Sequence, residues 1–503
     1  MKKPTIIYPL LLGAFSVLFL FSNNVALFPL SQLWFPLIMV VGIIALTWML
    51  AYLILRNGSK SALLVALFWT ALLSYVQIVE PLQNLKIFGF VLGLNRFFVP
   101  FGVIVFLALG YIIIRSRRNF ATLTQMLNIA SAVLVLISAF NIAIFEYRNK
   151  EKAYDVIVSE GYSFAGQSIK EEKLPDIYYL IFDRYASAST LKESYSYDNS
   201  SFVNFLKDKG FYVAERSHAN YSTTILSLAS SLNMNYLILP EKDGGKKNND
   251  QTRYLQRIAE NEVLRLLKSY GYKAFHFGSW FWATCDNPNA DVNINYSNLP
   301  FRGFTLAVFE NSALYPFARF FSTFDTGLLS LFDKLAALPD AASPKFVFAH
   351  VLLPHDPYLF RRDGQPLTSY EKLSKSEKEK YLDQLIFTTK KIEILVEALL
   401  SKSKRTPIII LQSDEGPYID EAEDTKSLNP AAIRKRTGIL NAYYLPGAKI
   451  NQLSLTITPV NSFRVVCNEY FGTKYKLLEN KIYYIKNSQH PFDYTDVTDM
   501  ITE

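Results

Sequence analysis

Residues 4–55 contain no Asp, Glu, Lys or Arg, and residues 61–79, 97–114 and 119–145 are likewise uncharged. About 20 consecutive apolar residues let an α-helix cross the ~30 Å hydrocarbon layer of a membrane. The first run is long enough for two such helices, with Pro, Ser and Asn residues around 22–32 marking a turn between them. One buried apolar helix is ordinary in a water-soluble protein; five in series are not, so residues 1–146 are expected to form a five-helix transmembrane domain. Lys and Arg set its orientation. Lys2, Lys3, Arg56, Lys60, Arg115, Arg117 and Arg118 fall in the loops of one side, whereas the opposite loops hold only Lys86 and Arg96. The N-terminus is therefore expected in the cytoplasm, and everything after the last span outside the cell (inner) membrane. Lys2-Lys3 before an apolar run also resembles a signal peptide, but no small-residue cleavage site follows, so the run reads as an uncleaved first helix.

The formal net charge of the 503 residues is +8. Residues 1–146 carry nine Lys/Arg against two acids, Glu80 and Glu146, so the remainder is almost neutral. A basic footprint for nucleic acid is excluded on that distribution. Half of all residues are hydrophobic, which rules out a disordered chain. Cys285 and Cys467 are the only cysteines. Their spacing matches no two-cysteine zinc motif and neither requires nor forbids one disulfide.

A charged, irregular connector is expected over residues 147–174, and an exported α/β domain over 175–503. Strand patterns occur at 176–183, 211–214, 272–277, 345–353, 407–412 and 439–445. They alternate with helical patterns at 201–209, 224–234, 253–270, 374–402 and 458–471. Ser374 and Glu377 stand at capping-box spacing at the head of the fourth helix. Such alternation predicts a mainly parallel sheet sandwiched by helices.

In sheets of this kind ligands bind beyond the carboxyl ends of the strands. This sequence puts Asp183-Arg184, His276 followed by Trp280, His355-Asp356 and Asp414-Glu415 at four such ends. A single strand-end Asp is usually a turn residue, but Asp183, Asp414 and Glu415 together are hard oxygen donors suited to a divalent cation. Ser222, Thr223 and Thr224 precede an apolar helical pattern. They read either as an N-cap or as a hydroxyl at a positive helix end, where a phosphate or sulfate and a developing alkoxide are stabilised. His350, among Phe346, Phe348 and Val351, reads as a core histidine, and His218 as either a structural or a site residue.

The strand ending in Asp183, the Thr-led helix, the segment from Phe348 through His350 and Pro-His355-Asp-Pro to Tyr358, and Gln-Ser-Asp414-Glu415-Gly form an ordered set. It resembles the sulfatase-like branch of the alkaline phosphatase superfamily. With membrane spans ahead of the domain, the chain is similar to the lipoteichoic acid synthase and phosphoethanolamine transferase group. The resemblance implies an alkaline phosphatase-like fold and a metal-dependent phosphotransferase. Such an enzyme takes a phosphoglycerol- or phosphoethanolamine-type head group from a membrane phospholipid donor and passes it to a cell-surface glycan or lipid acceptor.

Carried over by position, the resemblance implies Thr224 as nucleophile, with Thr223 one step away, and His355 as general acid. Asp183, Thr224, Asp414 and Glu415 would hold one divalent ion, Mn²⁺ or Mg²⁺ foremost and Zn²⁺ or Ca²⁺ as alternatives. His276, Trp280 and His218 would line the substrate. Two departures stand out. Glu415 occupies a position where the family carries His, and Arg184 one where two-metal relatives carry Asp. A guanidinium grips phosphate oxygen but holds no metal, so one ion is expected. Neither cysteine lies in a Cys-x-Pro-x-Arg setting, which argues against a sulfatase with a cysteine-derived aldehyde. A phosphate or sulfate ester hydrolase and a metal-free binding pseudoenzyme are the alternatives.

Overall fold

The computed structural model describes residues 4–82, 86–87, 90–91, 95–150, 174–237, 250–279, 281–295, 301, 303–315, 324–418, 429–486 and 490–501. Two compact units emerge, residues 1–153 with 299–323, and residues 154–298 with 324–503. Trp280 and most of the expected connector, 151–173, lie outside the described residues.

The first unit is helical. Its main elements are α1 (Tyr8–Asn23), α2 (Trp34–Leu55), α3 (Gly58–Leu73), α4 (Asn95–Arg115) and α5 (Ala121–Lys150). Among the described residues three helices are long and apolar enough to cross a membrane: Leu30–Leu55, Phe98–Arg115 and Ala121–Tyr147. A fourth is counted if Gly58–Leu73 and Tyr75–Leu82, bent by 69° at the break, act as one span. The fifth apolar helix, α1, has 16 residues; at 1.5 Å per residue it rises ~24 Å, short of the hydrocarbon thickness. These helices make the chain a membrane protein.

Some polar groups of this unit are satisfied by its own chain. Asn128 Oδ1 accepts from the amides of Ile7 and Tyr8 at 3.2 and 3.0 Å, while its Nδ2 donates to the Thr5 carbonyl at 2.7 Å, capping the start of α1. The helix Gly303–Glu310 also belongs here. Its Phe304 is buried against Phe21 and Phe28, with ring centroids 4.9 and 5.4 Å apart, and its amide donates to Gln32 Oε1 at 3.0 Å.

The second unit is built on a seven-stranded sheet. Its strands are β1 (Ile177–Phe182), β2 (Tyr212–Val213), β3 (Lys273–Gly278), β4 (Val292–Asn295), β5 (Lys345–Val351), β6 (Ile408–Gln412) and β7 (Asn441–Tyr444), in the order β2-β7-β6-β1-β5-β3-β4. The five strands β6, β1, β5, β3 and β4 are parallel; β7 runs antiparallel to both neighbours. All six expected strands form. The edge strand β4, with the pattern Val-Asn-Ile-Asn, is too short and polar to stand out in the sequence.

Every residue of β1 is buried because both faces of the sheet are covered. Ile177, Tyr179 and Ile181 enter one core, Tyr178, Leu180 and Phe182 the other, which is why the strand reads as an unbroken apolar run. The core on the first face includes Ile225, Leu226, Leu228 and Leu232 of α6 (Thr224–Leu232), and that on the second Leu385, Ile392 and Val396 of α7 (Glu377–Lys402). Where the strands begin, Lys345 Nζ and Asp176 Oδ2 form a buried ion pair at 2.7 Å.

Two helical patterns differ from expectation. The 253–270 pattern forms two helices, Thr252–Ala259 and Glu262–Ser269, because Asn261 caps the second by accepting from the Leu264 amide at 2.8 Å. The 374–402 pattern also divides. Its capping boxes are Thr368 with Glu371 and Ser376 with Glu379, so Ser374–Glu377 is not the cap: Ser374 ends the first helix. Cys285 and Cys467 are both buried and form no disulfide, leaving this unit to be held by its core.

Candidate metal centre and active site

Register decides which side chains meet. In the adjacent parallel strands β6, β1 and β5, Ile181 is level with His350 on one side and Gln412 on the other. Two positions further along β1 and β6, and so on the same face, come Asp183 and Asp414. Ligand atoms of Asp183, His350 and Asp414, all buried, lie within 4.8 Å of one another. His350 Nε2 is 3.5 Å from Asp183 Oδ2. The expectation of a core histidine is corrected: His350 is buried, but it faces a carboxylate pair.

Asp183 Oδ1, His350 Nε2 and both carboxylate oxygens of Asp414 lack a hydrogen bond of ordinary geometry. Buried polar atoms are nearly always paired, so four orphans in one cluster fit a site completed by a cation. The electrostatics agree. Burial pushes Asp414 well above the usual carboxylate range, helped by the charges of Asp183 and Glu415 and opposed by the Thr224 hydroxyl. Burial would also raise Asp183, but His355, the interaction with His350 and Arg184 outweigh it and hold that carboxyl below its usual range. Two neighbouring carboxyls driven apart in this way are short of positive charge.

Thr224 opens α6, and Thr223 is its N-cap. The Thr224 hydroxyl lies near enough to Asp414 to favour its ionised form, though without a hydrogen bond of ordinary geometry, so the expected nucleophile position borders the acidic cluster. Ser222 is committed elsewhere: its Oγ accepts from the Ile485 amide at 2.9 Å. Thr223 Oγ1 is buried without a hydrogen-bond partner.

Glu415 is placed differently from Asp414. Its Oε2 accepts from Arg436 Nη2 at 2.5 Å and its Oε1 from Arg184 Nε at 3.3 Å. Both oxygens face guanidinium groups, and among the described residues the ligand cluster is Asp183, His350 and Asp414. Arg184 also donates to Asp356 Oδ1 at 2.5 Å and keeps 14% of its side chain exposed. It adopts a left-handed backbone, φ 62°, immediately after Asp183.

His355 is 16% exposed on a loop braced by Gln384, whose Nε2 donates to the His355 carbonyl at 2.7 Å and whose Oε1 accepts from the Leu359 amide at 2.7 Å. Two other expected substrate contacts are spent on the fold. His276 is buried one residue row below His350; its Nε2 bonds the Thr284 carbonyl at 2.9 Å and its ring stacks on Phe348. Burial, with His350 adding to it against the Thr284 carbonyl, pulls His276 down to about 4. His218 bridges Gly438 and pairs through Nδ1 with Thr437 Oγ1 at 2.9 Å.

The family model that describes sulfatases matches residues 193–461, just over half of the chain. This chain belongs to the sulfatase family. No curated protein matches it. Among solved structures, this sulfatase-family chain is similar to the C-terminal periplasmic domain of EptC from Escherichia coli, with 14% identity over 67% of this chain and 95% of that chain and a TM-score of 0.45. It is similar to the integral membrane lipooligosaccharide phosphoethanolamine transferase A of Neisseria meningitidis, with 14% identity over 91% and 94% of the two chains and a TM-score of 0.39. It is also similar to the periplasmic domain of phosphoethanolamine transferase EptC from Campylobacter jejuni, with 12% identity over 61% and 92% and a TM-score of 0.38.

Sequence reasoning missed Arg436 in this sulfatase-family site. Arg436 is almost fully buried and joins three segments: it donates to Glu415 beside Asp414, to the Gly416 carbonyl, and to the Ser222 carbonyl ahead of the threonines at 2.8 Å. Its guanidinium lies over the Tyr418 ring at 3.1 Å. In the sequence it sits inside Arg-Lys-Arg, which reads as a solvated basic turn, and no local signal distinguishes it.

Proposed function

We propose that this protein transfers a phospholipid-derived head group, of phosphoglycerol or phosphoethanolamine type, to a cell-envelope glycan or lipid acceptor through a phosphothreonine intermediate. One observation carries the reading: Thr224 opens a helix beside Asp414, whose carboxylate belongs to the buried cluster that includes Asp183. Membrane anchoring supports a lipid donor, since enzyme and donor then share one surface. The proposal includes a cytoplasmic N-terminus, an extracytoplasmic catalytic domain, and the division into residues 1–146, 147–174 and 175–503.

Asp183 and Asp414 would hold one divalent ion, Mn²⁺ or Mg²⁺ with Zn²⁺ as an alternative. Such an ion supplies positive charge that lowers the pKa of an adjacent hydroxyl and offsets charge on a transferred phosphoryl group. Thr224 Oγ attacks phosphorus, forming a Thr–O–P bond as the bond to the lipid alcohol breaks, and the Thr224 proton leaves to water. His355 gives the departing alcohol its proton. An acceptor hydroxyl then attacks the phosphothreonine and frees Thr224. The amides at the start of α6 and the part-exposed Arg184 stabilise the phosphoryl oxygens in both steps.

Thr224→Ala should abolish turnover of labelled phospholipid by the purified full-length protein while its thermal unfolding stays close to wild type. Retained activity would move the nucleophile to Thr223. Membership of the sulfatase family also suits a phosphate or sulfate ester hydrolase. Mass analysis of products with and without a glycan acceptor separates the two, because a hydrolase releases the group to water regardless of acceptor.

A further inference from the structure

The residue after Asp414, Glu415, is turned to two arginines, and a nitrogen ligand is available from another strand. Asp183 Oδ1 and both Asp414 oxygens lack a hydrogen bond of ordinary geometry, whereas both Glu415 oxygens are engaged by Arg184 and Arg436. His350 is fully buried, and its Nε2, 3.5 Å from Asp183 Oδ2 and within 4.8 Å of both carboxylates, has no hydrogen bond of ordinary geometry. Its other nitrogen is fixed: Nδ1 and Thr284 Oγ1 are 2.7 Å apart.

Thr284 is held from several sides. Its amide donates to the Phe281 carbonyl at 3.0 Å, its carbonyl is bonded by His276 Nε2 at 2.9 Å, and Ser279 Oγ lies 3.3 Å from its hydroxyl. Gly278 makes room for this arrangement. It occupies the position on β3 next to His350, where a Cβ would stand 1.9 Å from the Cys285 carbonyl oxygen and 2.9 Å from that of Thr284. A bare backbone there lets the 282–285 turn press onto the sheet and deliver the Thr284 hydroxyl to the imidazole.

We propose that His350 is the nitrogen ligand of the metal centre, taking over from the residue after Asp414, and that Thr284 is its positioning residue. When His350 Nδ1–H donates to Thr284 Oγ1, the Nε2 lone pair is left for the ion. Glu415 serves instead as the anchor of two arginines. The donor set is then two carboxylates, one imidazole and the Thr224 hydroxyl, a mixed nitrogen and oxygen set that suits Mn²⁺ or Zn²⁺ better than Ca²⁺.

This inference rests on the metal-dependent reading above, and the test separates the two. The full-length protein in detergent is stripped with a chelator and titrated with Mn²⁺ by calorimetry, and the loaded form is examined by pulsed electron paramagnetic resonance. Wild type should bind one ion and show nitrogen hyperfine coupling. His350→Gln should lose that coupling and bind at least about 100-fold more weakly, while His355→Gln and Glu415→Gln keep both. Thr284→Val should weaken binding about 10- to 100-fold, as loss of an outer partner to a ligating histidine does, with Thr284→Ser restoring it. No Mn²⁺ or Zn²⁺ binding by wild type would overturn the metal reading itself. Binding without nitrogen coupling, coupling that survives His350→Gln, or coupling lost in Glu415→Gln or His355→Gln would overturn this assignment alone.

Discussion

A carboxylate with both oxygens taken by guanidinium groups stabilises the fold through those arginines. Glu415 and Arg436 are both almost fully buried, and breaking a buried pair from one side leaves an uncompensated charge that costs about 3–5 kcal/mol. Glu415→Gln should therefore lower the unfolding temperature of the α/β unit with or without Mn²⁺, as calorimetry would register. A loss of stability confined to the metal-loaded protein would show that Glu415 acts on the ion. His218 gives a pH-dependent counterpart. Burial, with Arg434 adding to it, pulls its pKa down to about 4, below the ~6.5 of an unfolded chain. The unfolded state then takes up a proton that the folded state refuses, so the contribution of His218 is complete above about pH 6.5 and declines as the pH falls toward 4, by up to about 3 kcal/mol. His276 contributes in the same direction. Chemical denaturation of His218→Gln between pH 6.5 and 4 should give a flatter profile than wild type; an equal slope would remove His218 from the account.

At the scale of elements, the parallel trio β6, β1 and β5 brings the site together. One row of side chains separates His350 and Gln412 from Asp183 and Asp414, so a strand ending one residue sooner would turn its carboxylate to the opposite face. The start of α6 meets these ends, with Arg436 tying its approach to the loop after β6. The turn 282–285 pressed on Gly278 is the other fixed element. Gly278→Ala forces a methyl into backbone, and overpacking of that kind costs about 1–3 kcal/mol. A lower unfolding temperature, together with weaker Mn²⁺ retention from displaced Thr284, is the expected result. An unchanged unfolding temperature would mean that the turn yields freely.

The whole molecule combines a helical unit with a lipid-compatible surface and an α/β unit. Exposed Phe35, Ile38, Leu53 and Ile54 on α2, and Ile104, Leu107 and Ile112 on α4, are large apolar surfaces that water does not tolerate and acyl chains do. An alkaline carbonate wash should leave the protein in the membrane fraction; release into the supernatant would contradict spanning helices. Within the helical unit, the helix Gly303–Glu310 is contributed from far along the chain, and hydropathy alone does not assign it there.

The apolar helices, six of the seven core strands and the acidic strand ends were readable from the sequence because each is a local signal: an uncharged run, a short apolar stretch, a carboxylate where that stretch stops. Which helices are long enough to cross was not readable, since three are, or four with the bent pair. The break between α3 and the helix at Tyr75 turns on a single serine, Ser74, and left no such trace. The partners were not readable either. His350 looks like any histidine in an apolar strand until register sets it beside Asp183, and Glu415 looks like a ligand until Arg436, 21 residues away in the chain, takes one of its oxygens. Thr284 and Gly278 acquire meaning only when a turn folds down onto the sheet. Composition and periodicity specify which residues are buried; pairing across strands distant in sequence specifies which buried polar atoms find partners and which are left for an ion.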